Sequence, residues 1–147
     1  MLFLLAFDIV HLKSTMQVNQ DWNGFSGSVF ASSSQLTTIS PCSLGHNGDP
    51  NSTSCVFPVW QSWYKPLSGR DARHSLMAVL LMNNADTPQD LSFTFADVPG
   101  LVGSASSTFC LYDIWLGTDL DAGRFGGYIA KAVEPHDSVF LKIHPCR

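Results

Sequence analysis

The sequence predicts an all-β fold, an antiparallel β-sandwich of about eight strands with connections of the Greek-key type. Apolar and polar residues alternate in short runs, most clearly at residues 91–96 and 139–144, which is the pattern of strands with one buried face. Clusters of Gly, Pro, Asn and Asp separate these runs at regular intervals. The chain is 45% hydrophobic and 14% charged, a composition that favours a packed core over disorder.

The first 24 residues differ in sequence pattern from the rest. Residues 1–7 form one apolar run, which we expect to be a buried strand, because no Lys or Arg precedes it, Asp8 interrupts it and it is too short to cross a bilayer. The segment at 13–18 is too short to form a stable helix on its own. We therefore divide the chain into an N-terminal segment, 1–24, and a sandwich domain, 25–147.

Two of the predicted strands lack a polar face. Residues 76–82 form a continuous apolar run, and residues 109–115 are apolar on both sides. A third predicted strand, 56–64, contains Pro58, which predicts an edge or a bulge there. One side of an apolar strand packs inside the sandwich, so the other side must be covered by something else. Residues 1–24 are too few to cover it, and we expect a partner domain to do so.

Charge and motif content exclude several classes of function. The net charge is −4, and the eight Lys and Arg residues form no cluster, so neither nucleic acid nor an anionic membrane is an expected partner. The five histidines are scattered, and no glycine-rich phosphate loop precedes a helix, so we expect no cofactor and no metal site.

The four cysteines are compatible with two disulfides. Cys42 and Cys55 bracket a polar loop and are the pair that we expect there, which leaves Cys110 with Cys146. Four buried thiols are the open alternative, whereas zinc ligands at short spacing are absent.

A glycosylation sequon begins at Asn51, within the same polar loop. Together with paired cysteines, it favours a secreted, lysosomal or vacuolar glycoprotein.

Few residues present themselves as catalytic. Asp8 ends the first predicted strand, but a structural role for it is favoured, and no nucleophile elbow occurs. Trp60 and Trp63 are candidates for stacking on sugar rings. Because strand alternation places them on opposite faces, packing is the favoured alternative for both.

Several short motifs follow one another over residues 18–144. They are VNQDWNG at Val18–Gly24, WYKPLSG at Trp63–Gly69, AVLLMNN at Ala78–Asn84, TPQ at Thr87–Gln89, ADV at Ala96–Val98, YDIW at Tyr112–Trp115 and YIAKAVEPH at Tyr128–His136. Their order and spacing resemble the C-terminal region of α-galactosidases (glycoside hydrolase family 27, melibiase-like). Residues 2–11 also resemble the last barrel strand of that family.

The resemblance implies a (β/α)₈ catalytic barrel followed by the sandwich, of which this chain would keep the last barrel strand. It also implies retaining hydrolysis of terminal α-galactosides, with the two catalytic aspartates on barrel strands upstream. No catalytic residue is therefore expected within 1–147, and the chain alone should be inactive. The alternative is a free-standing carbohydrate-binding or protein-interaction sandwich, in which Trp60 or Trp63 would be exposed and flat.

Overall fold

The computed structural model describes residues 16–21, 24–40, 54–70, 75–101, 109–120 and 126–146. Residues 16–20 are helical and lead into Asp21, whose backbone N–H donates to the carbonyl of Gln17 at 2.9 Å. The predicted barrel strand within 1–15 lies outside the described residues. So do Cys42 and Asn51.

Ten strands and one 3₁₀ turn make up the described part of the sandwich. They are β1 (Ser28–Ser32), β2 (Leu36–Ile39), β3 (Cys55–Pro58), β4 (Trp60–Pro66), β5 (Met77–Asn83), β6 (Gln89–Thr94), the 3₁₀ turn (Phe95–Asp97), β7 (Phe109–Asp113), β8 (Thr118–Leu120), β9 (Gly127–Val133) and β10 (Ser138–Pro145).

The number of strands exceeds the predicted eight partly because one long hairpin is interrupted in the middle. β1 pairs with β4, and β2 pairs with β3. Backbone hydrogen bonds from Ser33 to Trp60 and from Val59 to Gln35 join the two ladders. The interruption at Val59 directly follows Pro58, which has no N–H to donate to a ladder. An edge or a bulge was predicted at this proline, and Pro58 ends β3, which pairs with β2 alone in a two-stranded ladder.

The main layer is a six-stranded antiparallel sheet with the order β1-β4-β5-β10-β7-β8. β6 and β9 form a separate antiparallel ribbon. The last strand lies between β5 and β7, so the order is not sequential, as Greek-key connections require. The predicted antiparallel β-sandwich is confirmed.

The core lies between the inner face of the main sheet and the β6–β9 ribbon. Alternate residues of each strand reach it, which is why Val79, Leu111 and Leu141 are fully buried. The buried members of this inner cluster are Met77, Val79, Leu81, Leu91, Phe93, Phe95, Val98, Phe109, Leu111, Ala130, Val133, Leu141 and Ile143.

β10 departs from the expected pattern of one buried and one wet face. Lys142 and His144, predicted to face water, are only 4% and 9% exposed. The cause is position, because β10 is flanked by β5 and β7, and the helical segment contributes Gln17, whose Oε1 lies 3.5 Å from the Lys142 Nζ. The run at 109–115 is also shorter than predicted, since β7 ends at Asp113 and a turn follows.

One disulfide is described in full. Cys110 of β7 and Cys146, which follows β10, are joined across neighbouring strands with a Cα–Cα distance of 5.0 Å. Cys55 is also disulfide-bonded, and none of the described cysteines is free.

Candidate functional site

A groove of about 540 Å³ runs over the outer face of the main sheet, the side opposite the core. Its floor comes from the outward-facing residues of three neighbouring strands, with Trp63 on β4, Leu80 on β5 and Phe140 on β10. The remaining lining residues are Val18, Asn19, Phe25, Ser26, Gly27, Tyr64, Lys65 and Ala78. The groove is therefore apolar, with a single charged side chain, that of Lys65, at its margin.

A second apolar cluster lies beside this groove on the same outer face. Its buried residues are Val18, Leu67, Ala78, Tyr112 and Ile114, with Phe140 packed against them. Val18 belongs to the helical segment and is 5% exposed. The outer face is thus covered in part by this segment and left open over the groove.

Apolar surface continues beyond the groove. Phe25 at its margin is 61% exposed, and Leu116, in the turn after β7, is 61% exposed. Trp115 is 40% exposed, and its ring lies 5.5 Å from that of Phe140 in a tilted arrangement. Large exposed apolar patches of this kind mark sites of interaction with other proteins or ligands. We call the groove together with Phe25, Trp115 and Leu116 the outer apolar face.

Lys65 and Ser68 attach the helical segment to the main sheet. The Lys65 ammonium donates to the carbonyl oxygens of Val18 and Asn19, at 3.2 Å in the second case. A cation at the C-terminal carbonyls of a helix is favourable for both hydrogen bonding and the helix dipole. The Asp21 carboxylate accepts two further bonds from Ser68, from its N–H at 2.9 Å and its hydroxyl at 2.7 Å. We call this set of contacts the linker clamp; its residues are Val18, Asn19, Asp21, Lys65 and Ser68.

The two candidate tryptophans lie on opposite faces of β4, as their spacing requires. Trp60 packs against the inner cluster. Trp63 lines the outer groove, and its indole Nε1 is buried without a hydrogen-bond partner. They do not form one stacking platform. The candidates Asp8, Cys42 and Asn51 lie outside the described residues.

Two of the described carboxyl groups, those of Asp113 and Asp97, serve local structure. Asp113, 5% exposed, accepts a hydrogen bond from the backbone N–H of Leu116 at 2.9 Å and so closes the turn after β7. Two hydrogen bonds from Thr94, from its hydroxyl and its backbone N–H, lower the pKa of Asp97 below its usual value. No group of three or more His, Cys, Asp or Glu side chains within the described ranges could hold a metal ion.

Tyr128 lies on β9, and the pKa of its hydroxyl is raised above the ordinary value. Burial, with a smaller contribution from the negative charge of Asp113, raises the pKa of its hydroxyl. A second groove of about 530 Å³ runs past this tyrosine on the β6–β9 ribbon. Its other lining residues are Ser92, Phe93, Thr94, Asp97, Gly126, Gly127 and Ile129.

Composition and periodicity did not predict the linker clamp. No single residue in it is unusual, and Lys65, Ser68 and Asp21 are polar residues of ordinary type. The available signal was that two of the motifs, VNQDWNG and WYKPLSG, both carry polar residues that packing alone does not require. The structure brings these two motifs into contact.

A match to a family model covers more than half of the chain. Residues 59–143 match the family described as the alpha galactosidase C-terminal beta sandwich domain. No match was found among curated protein sequences. The matched span runs from the end of β3 into β10 and so contains most of the main sheet and the β6–β9 ribbon.

Solved structures share the fold at low sequence identity. α-Galactosidase I from Mortierella vinacea has a TM-score of 0.58 at 18% identity, over 89% of this chain and 26% of that one. α-Galactosidase from Saccharomyces cerevisiae gives 0.55 at 16% identity, over 90% and 35%. A GH27 β-L-arabinopyranosidase from Geobacillus stearothermophilus gives 0.59 at 13% identity, over 91% and 22%. The chain therefore spans only about a fifth to a third of the length of these three proteins.

Within the part of the chain that the structure describes, no helix has the length and apolarity needed to cross a membrane.

Proposed function

The chain belongs to the family of α-galactosidase C-terminal β-sandwich domains, and from this membership we propose that it docks on the catalytic barrel of an α-galactosidase-like glycoside hydrolase. The docking surface in this proposal is the outer apolar face, and the partner is a (β/α)₈ barrel that precedes the sandwich in the same protein. The sandwich would brace the barrel and shield apolar surface on its flank from water.

The observation that carries the proposal is the open groove over strands that are otherwise buried. β5 and β10 are interior strands of the sheet, yet Leu80 and Phe140 line a groove on its outer side. Interior strands of a sandwich that faced only water would carry polar residues there. Trp63, Leu80 and Phe140 are already partly buried in the isolated chain. A docked domain would remove their remaining exposed surface from water and so gain part of the about 1.5–3 kcal/mol that full burial of a large apolar side chain contributes.

Charge at the outer apolar face is also consistent with docking. The core of a protein interface is typically poor in charged residues and rich in aromatic ones. Phe25, Trp63, Trp115 and Phe140 supply aromatic surface, while Lys65 points its ammonium at backbone carbonyls of the helical segment. The groove thus offers a partner an aromatic surface whose neighbouring charge is already compensated.

The chemistry itself belongs to the barrel in this proposal. A retaining glycosidase needs two carboxyl groups about 5–5.5 Å apart, one as nucleophile and one as general acid and base. We propose that these groups lie upstream and that the complete enzyme hydrolyses terminal α-galactosides, so that this chain alone is inactive. Purified chain should give no turnover of an aryl α-galactoside, and turnover above background would overturn this part of the proposal.

A fusion protein tests the docking. The barrel of the Mortierella vinacea enzyme would be joined to this chain in place of its own C-terminal region. The half-life of galactosidase activity at elevated temperature would then be measured with and without the sandwich. We expect a half-life at least about fivefold longer in the fusion, because docking stabilises the folded barrel.

Two variants of the fusion locate the contact. Leu80→Asp places a charge in the groove and should remove the gain, whereas Ile129→Asp should keep it, since Ile129 is a 59% exposed residue on β9 of the opposite layer. Equal half-lives for the Leu80→Asp fusion and its parent would contradict docking through this face. Saturable quenching of tryptophan fluorescence by galactosides in the isolated chain would instead favour a free-standing carbohydrate-binding sandwich.

We further propose that the protein folds in an oxidising compartment and is glycosylated at Asn51. The Cys110–Cys146 disulfide and the bonded state of Cys55 support the first part, because disulfides persist in secreted and lysosomal proteins. The domain boundary is proposed near residue 24, between the helical segment 16–20 and β1, which begins at Ser28. Secretion from eukaryotic cells, with a mass decrease on deglycosylation that Asn51→Gln abolishes, tests the glycosylation.

A further inference from the structure

The linker clamp is placed where a preceding domain would join the sandwich. The helical segment 16–20 ends at the margin of the groove, and two of its residues, Val18 and Asn19, line that groove. An isolated helix of this length is not stable in water. Tertiary contacts must therefore hold it, and the clamp provides them.

The clamp fixes the segment by three independent kinds of contact. Lys65 donates to the last helical carbonyls, Asp21 accepts two hydrogen bonds from Ser68, and Val18 is buried among apolar side chains. These contacts are spread over Val18, Asn19 and Asp21, so they define the direction of the chain as well as its position. Hydrogen bonds that involve a charged group are the stronger kind, and here every one of the four has such a group.

We propose that the linker clamp is an orienting joint, which sets the angle between the catalytic barrel and the sandwich. This inference rests on the proposed function for the identity of the preceding domain. The groove supplies the apolar contact with that domain, and Lys65 and Ser68 fix the covalent connection to it. Lys65 is a positioning residue in this account, because it acts on the backbone of the connection and touches no substrate.

The first test uses the chain alone and does not depend on a barrel. Lys65→Met keeps the aliphatic stem and removes the ammonium, and hydrogen exchange would be followed at the amides of Asp21 and Ser68, both of which donate bonds within the clamp region. We expect exchange at least about tenfold faster at both amides. Lys131→Met is the matched control, since Lys131 also donates to a partner, Asp90 at 2.6 Å, but lies on β9.

The second test measures orientation in the fusion protein. Spin labels on the barrel and on the β6–β9 ribbon would report the distribution of distances between the two domains. Lys65→Met should broaden this distribution without changing the unfolding transition of either domain, whereas Lys131→Met should leave it narrow. A structural role limited to stability would shift the unfolding transition instead.

The outcomes separate the two proposals. Unchanged exchange at Asp21 in Lys65→Met, or faster exchange with a distance distribution that stays narrow, would overturn the joint while leaving docking intact. A Leu80→Asp fusion that behaves as its parent would overturn docking, whatever the exchange rates show. Faster exchange together with a broadened distribution supports the orienting joint.

Discussion

Replacing Asn83 with Asp exchanges one side-chain nitrogen for an oxygen. Among exchanges of a single side-chain atom in the described residues, this is the one that we expect to destabilise the sandwich most. Asn83 ends β5 and is 1% exposed. Its amide nitrogen lies 2.9 Å from the carbonyl oxygens of Thr87 and Val133 and 3.0 Å from that of Glu134, while its oxygen accepts the backbone N–H of Ala85 at 2.9 Å. One side chain therefore joins the end of β5 to both neighbouring turns.

The magnitude follows from the number of donors that are lost. An amide carries two N–H groups, so Asn83→Asp removes two hydrogen bonds and leaves carbonyls facing a carboxylate, while the bond from the Ala85 N–H survives. Each buried acceptor left unsatisfied costs about 1–3 kcal/mol, which gives a loss of about 2–6 kcal/mol. A single domain is typically stable by about 5–15 kcal/mol, so the loss should be plain in an unfolding curve.

Urea unfolding followed by tryptophan fluorescence measures this loss at pH 7. Gln89→Glu makes the same chemical change at an exposed amide that donates only to the Thr87 hydroxyl, and it should stay within about 0.5 kcal/mol of the parent. The penalty of Asn83→Asp should shrink as the pH falls toward 4, because a protonated carboxyl regains one donor. A loss below about 1 kcal/mol at pH 7, or equal losses in both variants, would refute the reasoning.

Three further changes test other parts of the fold. Replacing Cys110 and Cys146 together by Ser opens a link between residues 36 apart, and urea unfolding should show a loss of about 3–4 kcal/mol; a loss under 1 kcal/mol would contradict it. The lowered pKa of Asp97 means that its hydrogen bonds from Thr94 stabilise the fold above its ordinary pKa of 3.8 and lose that effect as the pH falls below it; acid titration of stability should therefore be shallower in Asp97→Asn, and identical titrations would argue against the assignment. Gly127→Ala would place a Cβ 2.4 Å from a backbone carbonyl oxygen of β6, so thermal unfolding should show a loss above about 2 kcal/mol, and a normal transition would be inconsistent with this packing.

The fold was largely predictable because its strands have simple patterns. Alternation at 91–96 predicted β6, where Leu91 and Phe93 are buried and Ser92 is exposed. The continuous run at 76–82 predicted an interior strand, and β5 occupies that place. These predictions succeed because the spacing of apolar residues along a strand shows directly whether one face or both faces are buried.

The local details of strand ends were less predictable. The run at 109–115 continues its apolar alternation past Asp113, but the Asp113 carboxylate accepts the N–H of Leu116 and turns the chain. Lys142 is polar, yet its strand is one of the two central strands of the sheet and its side chain is buried. Periodicity carries no information about which strand is central. A polar residue in a central strand is therefore predicted to be exposed to solvent even where it is buried.

The sequence predicted that an apolar outer surface exists, but it did not predict which residues form the linker clamp beside it. Apolar character on both faces of the strands indicated an outer surface that needs a partner, and the structure places an apolar groove there. The contact between Asp21 and Ser68 joins residues 47 apart in sequence, which no local pattern encodes. Only the tertiary pairing of the helical segment with the end of β4 brings the linker clamp together.

Self-association of the isolated chain tests most directly whether the outer apolar face is a docking surface. Sedimentation over a range of concentrations, with binding of a hydrophobic dye measured in parallel, should show association and dye binding that Leu80→Asp suppresses and Ile129→Asp leaves in place. A chain that remains a monodisperse monomer and binds no dye, or one in which both variants behave alike, would contradict the account.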